Sequence, residues 1–72
     1  DGEALDDAAE HAEIATRLRP DSANYHDTLA WVRLRRGEFD RAEAAARIAV
    51  GLAPDDKAFR ERLSQILAEG AR

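Results

Sequence analysis

Few side chains in this 72-residue sequence could do chemistry, and their spacing argues against most of it. There are two histidines, His11 and His26, four hydroxyls (Thr16, Ser22, Thr28, Ser64), one tryptophan, fifteen carboxylates and no cysteine. The lack of cysteine excludes zinc-thiolate sites and thiol catalysis. A zinc site needs three or four ligands in tetrahedral geometry, and neither histidine has ligand partners at helical spacing. His26 and Asp27 are neighbours, so on a helix they point about 100° apart rather than at each other. The hydroxyls lack the tight elbow that exposes a nucleophile. Carboxylates are plentiful, but none has an apolar setting that would raise its pKa for acid catalysis. There is no glycine-rich phosphate loop. The expectation is a protein that is not an enzyme, with no metal and no cofactor.

Charge narrows the class of partner. Eleven Lys and Arg stand against fifteen Asp and Glu, for a net charge of −4. Nucleic-acid binding rests on a basic face, so that class is not expected. Asp1, Glu3, Asp6, Asp7, Glu10 and Glu13 make the first sixteen residues wholly acidic, whereas arginines tip the middle slightly positive. Acidic charge favours a helix N-terminus and forms a solvated face; a match to a basic partner is the sharper alternative. No apolar run can span a bilayer and no signal-peptide pattern is present, so a cytoplasmic location is expected. Alanine-rich, arginine-over-lysine usage suggests a GC-rich bacterial source. At this length a lone core buries only ~60% of the unfolded surface, which makes a solitary unit marginal. The chain opens in mid-pattern and is expected to be an excised or processed piece.

The elements that must position these residues are helical. Ala, Leu, Arg and Glu dominate, and β-branched residues are few. Leu18-Arg19-Pro20-Asp21 and Leu52-Ala53-Pro54-Asp55 break the pattern, and Gly37 and Gly70 are helix stops. Four helices are predicted at 4–18, 22–36, 40–52 and 56–69. Ser22 and Asp56 read as N-caps, and Asp40-Arg41-Ala42-Glu43 as a variant capping box. Apolar spacing predicts core stripes of Tyr25, Leu29 and Val32 in the second helix and Phe59, Leu63, Ile66 and Leu67 in the fourth. The third helix offers Ala42, Ala45, Ala46, Ala49 and Leu52, small residues that admit a close neighbour.

The chain also repeats. Set against itself at a period of about 34 residues, nine of 38 aligned pairs are identical, where this composition alone would give about four. They include Asp6/Asp40, Ala12/Ala46, Ile14/Ile48, Leu18/Leu52, Pro20/Pro54 and Leu29/Leu63. Repetition at helix-pair length means that each unit buries its apolar face on the next.

On these residues the chain resembles the tetratricopeptide repeat family, whose unit is two antiparallel helices recurring every ~34 residues. Leu29-Ala30 matches the family's large-then-small pair and Gly37-Glu38-Phe39-Asp40 its turn. Ala42 and Ala49 match its close-packed alanines and Pro54 its terminating proline. The resemblance implies an all-α fold, a short right-handed solenoid of about four helices. Residues 1–22 would form a half repeat, 23–56 a full repeat, and 57–72 a half repeat or capping helix. Arg33, Ala46 and His26 depart from the family, standing where larger apolar or aromatic residues are usual. A thinner core is expected there, with Arg33 laid along its aliphatic stem.

The resemblance also implies a concave groove lined by the first helix of each repeat. Here that face carries Asn24, Asp27, Trp31, Leu34 and Arg35, and the last helix adds Glu61, Gln65 and Glu69. Helical spacing sets the first five beside the core stripe. Of the residues by which some family members clamp a C-terminal carboxylate, only Arg62 fits here, so clamping is not expected. Two readings of Trp31 stand: an anchor for a partner, or a side chain packed on a neighbouring repeat. Arg35 and Arg36 either attract an acidic partner or complement the C-terminal end of their helix. The expected function is a protein-interaction module that takes a peptide or partner helix in this groove. The alternative is a structural spacer or self-assembly segment, with Leu5, Ala9 and Ile14 leaving an apolar first-helix edge for homo-oligomerisation. An accessory domain of an enzyme would need chemistry elsewhere in a longer parent.

Overall fold

A computed structural model describes residues 2–72 as four helices: α1 (Gly2–Leu18), α2 (Ala23–Arg35), α3 (Phe39–Leu52) and α4 (Lys57–Gly70). No strand occurs among the described residues, and no helix is long and apolar enough to cross a membrane. α1 packs on α2, α2 on α3 and α3 on α4, and α2 also meets α4. The result is a slab of 34 × 34 × 16 Å.

The sequence period recurs in the hydrogen bonding of the turns. Ser22 Oγ accepts from the Tyr25 amide at 3.3 Å, and Asp56 Oδ1 accepts from the Ala58 and Phe59 amides at 2.9 and 3.3 Å. Each satisfies amides that the first helical turn leaves unpaired. The Arg19 amide donates to Ala15 and the Ser22 amide to Arg19; one period on, Ala53 donates to Ala49 and Asp56 to Ala53. Even the side-chain tether repeats with a different residue. His26 Nε2 donates to the Pro20 carbonyl at 2.9 Å, and Arg60 Nη1 to the Pro54 carbonyl at 2.6 Å.

The capping box expected at Asp40 does not form. α3 starts at Phe39, with its N-cap at Glu38, two residues before Asp40, and no side-chain cap. Gly37 is the cause. Its φ of +77° permits a left-handed stop, with Gly37 N–H donating to the Leu34 carbonyl and Glu38 N–H to the Arg33 carbonyl. The chain therefore re-enters a helix at Phe39, and Asp40 lies in the first turn, where its charge still suits the dipole. Glu43 bonds Arg47 instead, at 2.8 Å.

Alanine carries the core. Ala30, Ala42, Ala45, Ala46 and Ala49 are buried, together with Leu29, Val32, Leu34, Phe59 and Ile66. Small side chains let α2 and α3 approach closely, so little apolar bulk is needed to fill the seam. Three expected core residues are exposed instead: Tyr25, Leu52 and Leu67. Ala9, read as part of an exposed edge, is buried, whereas Ile14 on the same helix is exposed as expected.

Charge ties α1 down where apolar contact is thin. Glu13 faces Arg33 at 3.4 Å and Arg41 at 3.7 Å, and Asp6 faces Arg36 at 3.3 Å. Glu38 holds Arg36 and Arg41 at 3.3 and 3.6 Å, although its Oε1 is buried without a hydrogen bond. Arg33 does lay its stem into the protein, with Nη1 donating to the Arg41 carbonyl at 3.4 Å.

Two glycines predict opposite outcomes. Gly37→Ala forces a β-carbon into the left-handed region and is expected to lower stability by about 1–2 kcal/mol. Gly51→Ala lies inside α3 facing open space and is expected to raise it by up to ~1 kcal/mol. Urea midpoints moving in the same direction would contradict this account of the turn.

Candidate partner-binding face

α2 is covered by α1, α3 and α4, so only a narrow stripe of it reaches solvent. That stripe is Asn24, Thr28, Trp31 and Arg35, at spacings of four, three and four, with Tyr25 at its upper edge. Trp31 sits at its centre, 41% exposed. Thr28 Oγ1 donates to the Asn24 carbonyl at 3.0 Å, which turns the hydroxyl back onto its own helix.

Leu34, expected in the groove, is only 6% exposed. The turn at Gly37 folds α3 back over the C-terminal half of α2, and Leu34 joins the cluster of Ala30, Ala42, Ala45 and Ala46. Thr28 takes the place in the exposed stripe that sequence spacing had given to Leu34. The signal was present, since 24, 28, 31 and 35 form a regular helical row. Tyr25 was assigned to the core on the same spacing argument and lies at the stripe's edge.

Asp27 is half-buried and does not stand free. Arg62 of α4 donates to it twice, Nε to Oδ1 at 3.1 Å and Nη2 to Oδ2 at 3.4 Å. This forked pair links α2 to α4 through side chains, and it sets Trp31 on a helix neighbouring that of Glu61 and Gln65. On α4, Glu61 is exposed near Lys57 at 3.7 Å, and Gln65 Nε2 donates to Glu69 Oε2 at 3.0 Å. Arg62 was the one residue that suited a carboxylate clamp; its guanidinium is occupied by Asp27. His26 and Asp27 turn to different partners, Pro20 and Arg62.

The arrangement offers a flat aromatic surface with hydrogen-bonding groups around it. Among the described residues no three His, Asp or Glu side chains come together in a way that could hold a metal ion. Thr16 Oγ1 donates to the Glu13 carbonyl at 2.9 Å, so that hydroxyl too is bound to its own helix. Two depressions lie away from the stripe. One of 340 Å³ between α1 and α2 is lined by Glu13, Thr16, Arg17, Leu29 and Arg33. One of 440 Å³ beside the α2–α3 turn is lined by Glu38, Phe39, Arg41 and Gly70 among others. The Trp31 face is a surface rather than a cavity, which suits a macromolecular partner better than a small molecule. Comparison with known protein families, curated proteins and solved structures found no match.

The Asp27–Arg62 pair is partly shielded from water, so the two residues are expected to couple. A double-mutant cycle of Asp27→Ala and Arg62→Ala, read by urea unfolding, should give a coupling of about 1 kcal/mol that shrinks in high salt. A coupling of zero would mean that the fork does not hold α2 to α4.

Proposed function

We propose that this protein is an interaction module that binds a peptide or helix of another protein along the α2 stripe and the adjoining surface of α4. The observation that carries this reading is the position of Trp31. A small helical protein gains more by burying its single tryptophan than by leaving it in water, yet here it stands at the centre of the open face of α2. Exposed Trp beside Arg and hydrogen-bonding groups is the usual makeup of a binding hot spot. Trp31 acts as the anchor. Arg35 and Gln65 supply polar contacts, with Asn24 and Glu61 at the ends of the face. Asp27 contributes through its pair with Arg62, as the acceptor side of a fixed fork rather than as a free carboxylate.

The same reading takes the chain as one full and two half repeats of the tetratricopeptide kind, stacked as a short right-handed solenoid. The caps and proline-carbonyl tethers that recur one period apart support it. So does the consecutive packing of α1 to α4 with α2 meeting α4, since solenoid units touch their neighbours in order. In that arrangement α2 and α4 are successive groove helices, and Trp31 and Gln65 hold equivalent positions on them.

Trp31 is also the only tryptophan, so its fluorescence reports on this face alone. Peptides selected from a random library on the immobilised chain should change its emission on binding. Trp31→Ala should weaken them more than tenfold, as expected for loss of a hot-spot anchor. Ile48→Ala, on the exposed side of α3, should leave affinity unchanged. Peptides that bind Trp31→Ala as well as wild type would sink the reading, as would a chain that selects none.

A further inference from the structure

Displacement by one repeat period carries Asp6 of α1 onto Asp40 of α3. It carries Arg36, the C-cap of α2, onto Gly70, the last residue of α4. In the first of these places the arginine is enclosed. Arg36 Nη2 lies 3.3 Å from Asp6 and 3.3 Å from Glu38, and its side chain is only 31% exposed. In the second place the arginine is missing. The Asp40 carboxylate is exposed and has neither ion pair nor hydrogen bond, and Asp40 and Gly70 line the same depression of 440 Å³. The comparison sets residues 6–38 against 40–72, all of them described, so the difference lies in the residue type at position 70.

The walls of the depression suit the group that is missing. Phe39 lies so close to Gly70 that a β-carbon there would sit 3.2 Å from the Phe39 β-carbon. Where the first unit has Leu5, the second thus presents a partly exposed aromatic ring. A ring face attracts a guanidinium, which can stack flat on it, and Asp40 stands beside it as a charged acceptor. The other charges at this end are accounted for. Glu38 is shared by Arg36 and Arg41 at 3.3 and 3.6 Å, and Arg41 also meets Glu13 at 3.7 Å. Glu69 accepts from Gln65 at 3.0 Å, and Arg72 is exposed without an ion pair. Of the two carboxylates that line the depression, Asp40 is therefore the one that no cation neutralises.

We infer that the depression beside Phe39, Asp40 and Gly70 receives an arginine side chain of a partner protein. That side chain stacks on Phe39 and pairs with Asp40 as Arg36 pairs with Asp6. The site lies away from the Trp31 stripe and stands independently of the peptide-binding reading.

Titration of the 72-residue chain with N-acetyl-arginine methylamide, followed by amide chemical shifts in NMR, tests it. Saturable shifts should gather at Phe39, Asp40 and Gly70 with a Kd of about 1–10 mM, and Trp31 should not respond. The lysine analogue should bind at least about threefold more weakly, because an ammonium neither forks nor stacks flat. Asp40→Asn should weaken the arginine probe about threefold to fivefold, and Phe39→Leu about twofold to threefold. Both positions are exposed, so circular dichroism should show each variant as helical as wild type. The double variant Phe39→Leu, Gly70→Arg copies the first unit, fills the space from within and should abolish binding. Shifts spread equally over Asp21 and Asp55, a lysine analogue that binds as well, or an unimpaired Asp40→Asn variant would overturn the proposal. So would a wild type that binds no probe until Arg72→Gln removes the unpaired arginine two residues past Gly70. The occupant would then be the chain's own.

Discussion

The close seam between α2 and α3 is the constraint on which the rest of the structure depends. Ala30 on one side and Ala42, Ala45, Ala46 and Ala49 on the other are buried, with Leu29 and Leu34 of α2 the larger side chains beside them. A 72-residue chain without disulfides has little apolar surface to bury, and contact at short range extracts more packing from each side chain. Any larger residue in the seam would push α3 outward and separate the few large core residues, Leu29, Val32, Leu34, Phe59 and Ile66.

Two consequences run outward from that seam. With α3 drawn in on one side, and α1 and α4 on the others, α2 is buried over most of its circumference and only one row of residues stays wet. Trp31 is conspicuous because that row is so narrow. At the other end of the molecule α1 rests on α2 mostly through alanines, and charge supplies what apolar contact does not. Glu13, Asp6 and Glu38 share Arg33, Arg36 and Arg41 between them. A network of this kind steers register more than it adds stability, because its members remain partly in water.

Much of the molecule was legible from residue order because its signals are local. A cap needs only the residues of one turn, so Ser22 and Asp56 could be placed without knowing the fold. Gly37 as a stop and the proline breaks follow from backbone sterics at single positions. The alanine seam was legible for a related reason: small residues at helical spacing have few uses other than close approach. The failures are of another kind. Asp40 has the right chemistry for a cap, yet after the Gly37 turn the cap position falls on Glu38, two residues before it. Leu34 and Tyr25 lie on helical rows that periodicity alone can assign to either face. Arg62 and Asp27 stand far apart along the chain, and their pairing depends on how two helices cross.

Residue order by itself therefore determined the helices, the stop at Gly37, the proline breaks, the repeat period and the small-residue seam, because steric limits and hydrogen-bond needs within a turn act over a few neighbours. Gly70, read as a second stop, is instead the last residue of α4. Only the tertiary structure decided which row of α2 faces water. That choice is made by the three helices around α2, which bury Leu34 and leave Thr28, Trp31 and Arg35 in a single open line. A helix carries every candidate face at once; its packed neighbours select the one that remains.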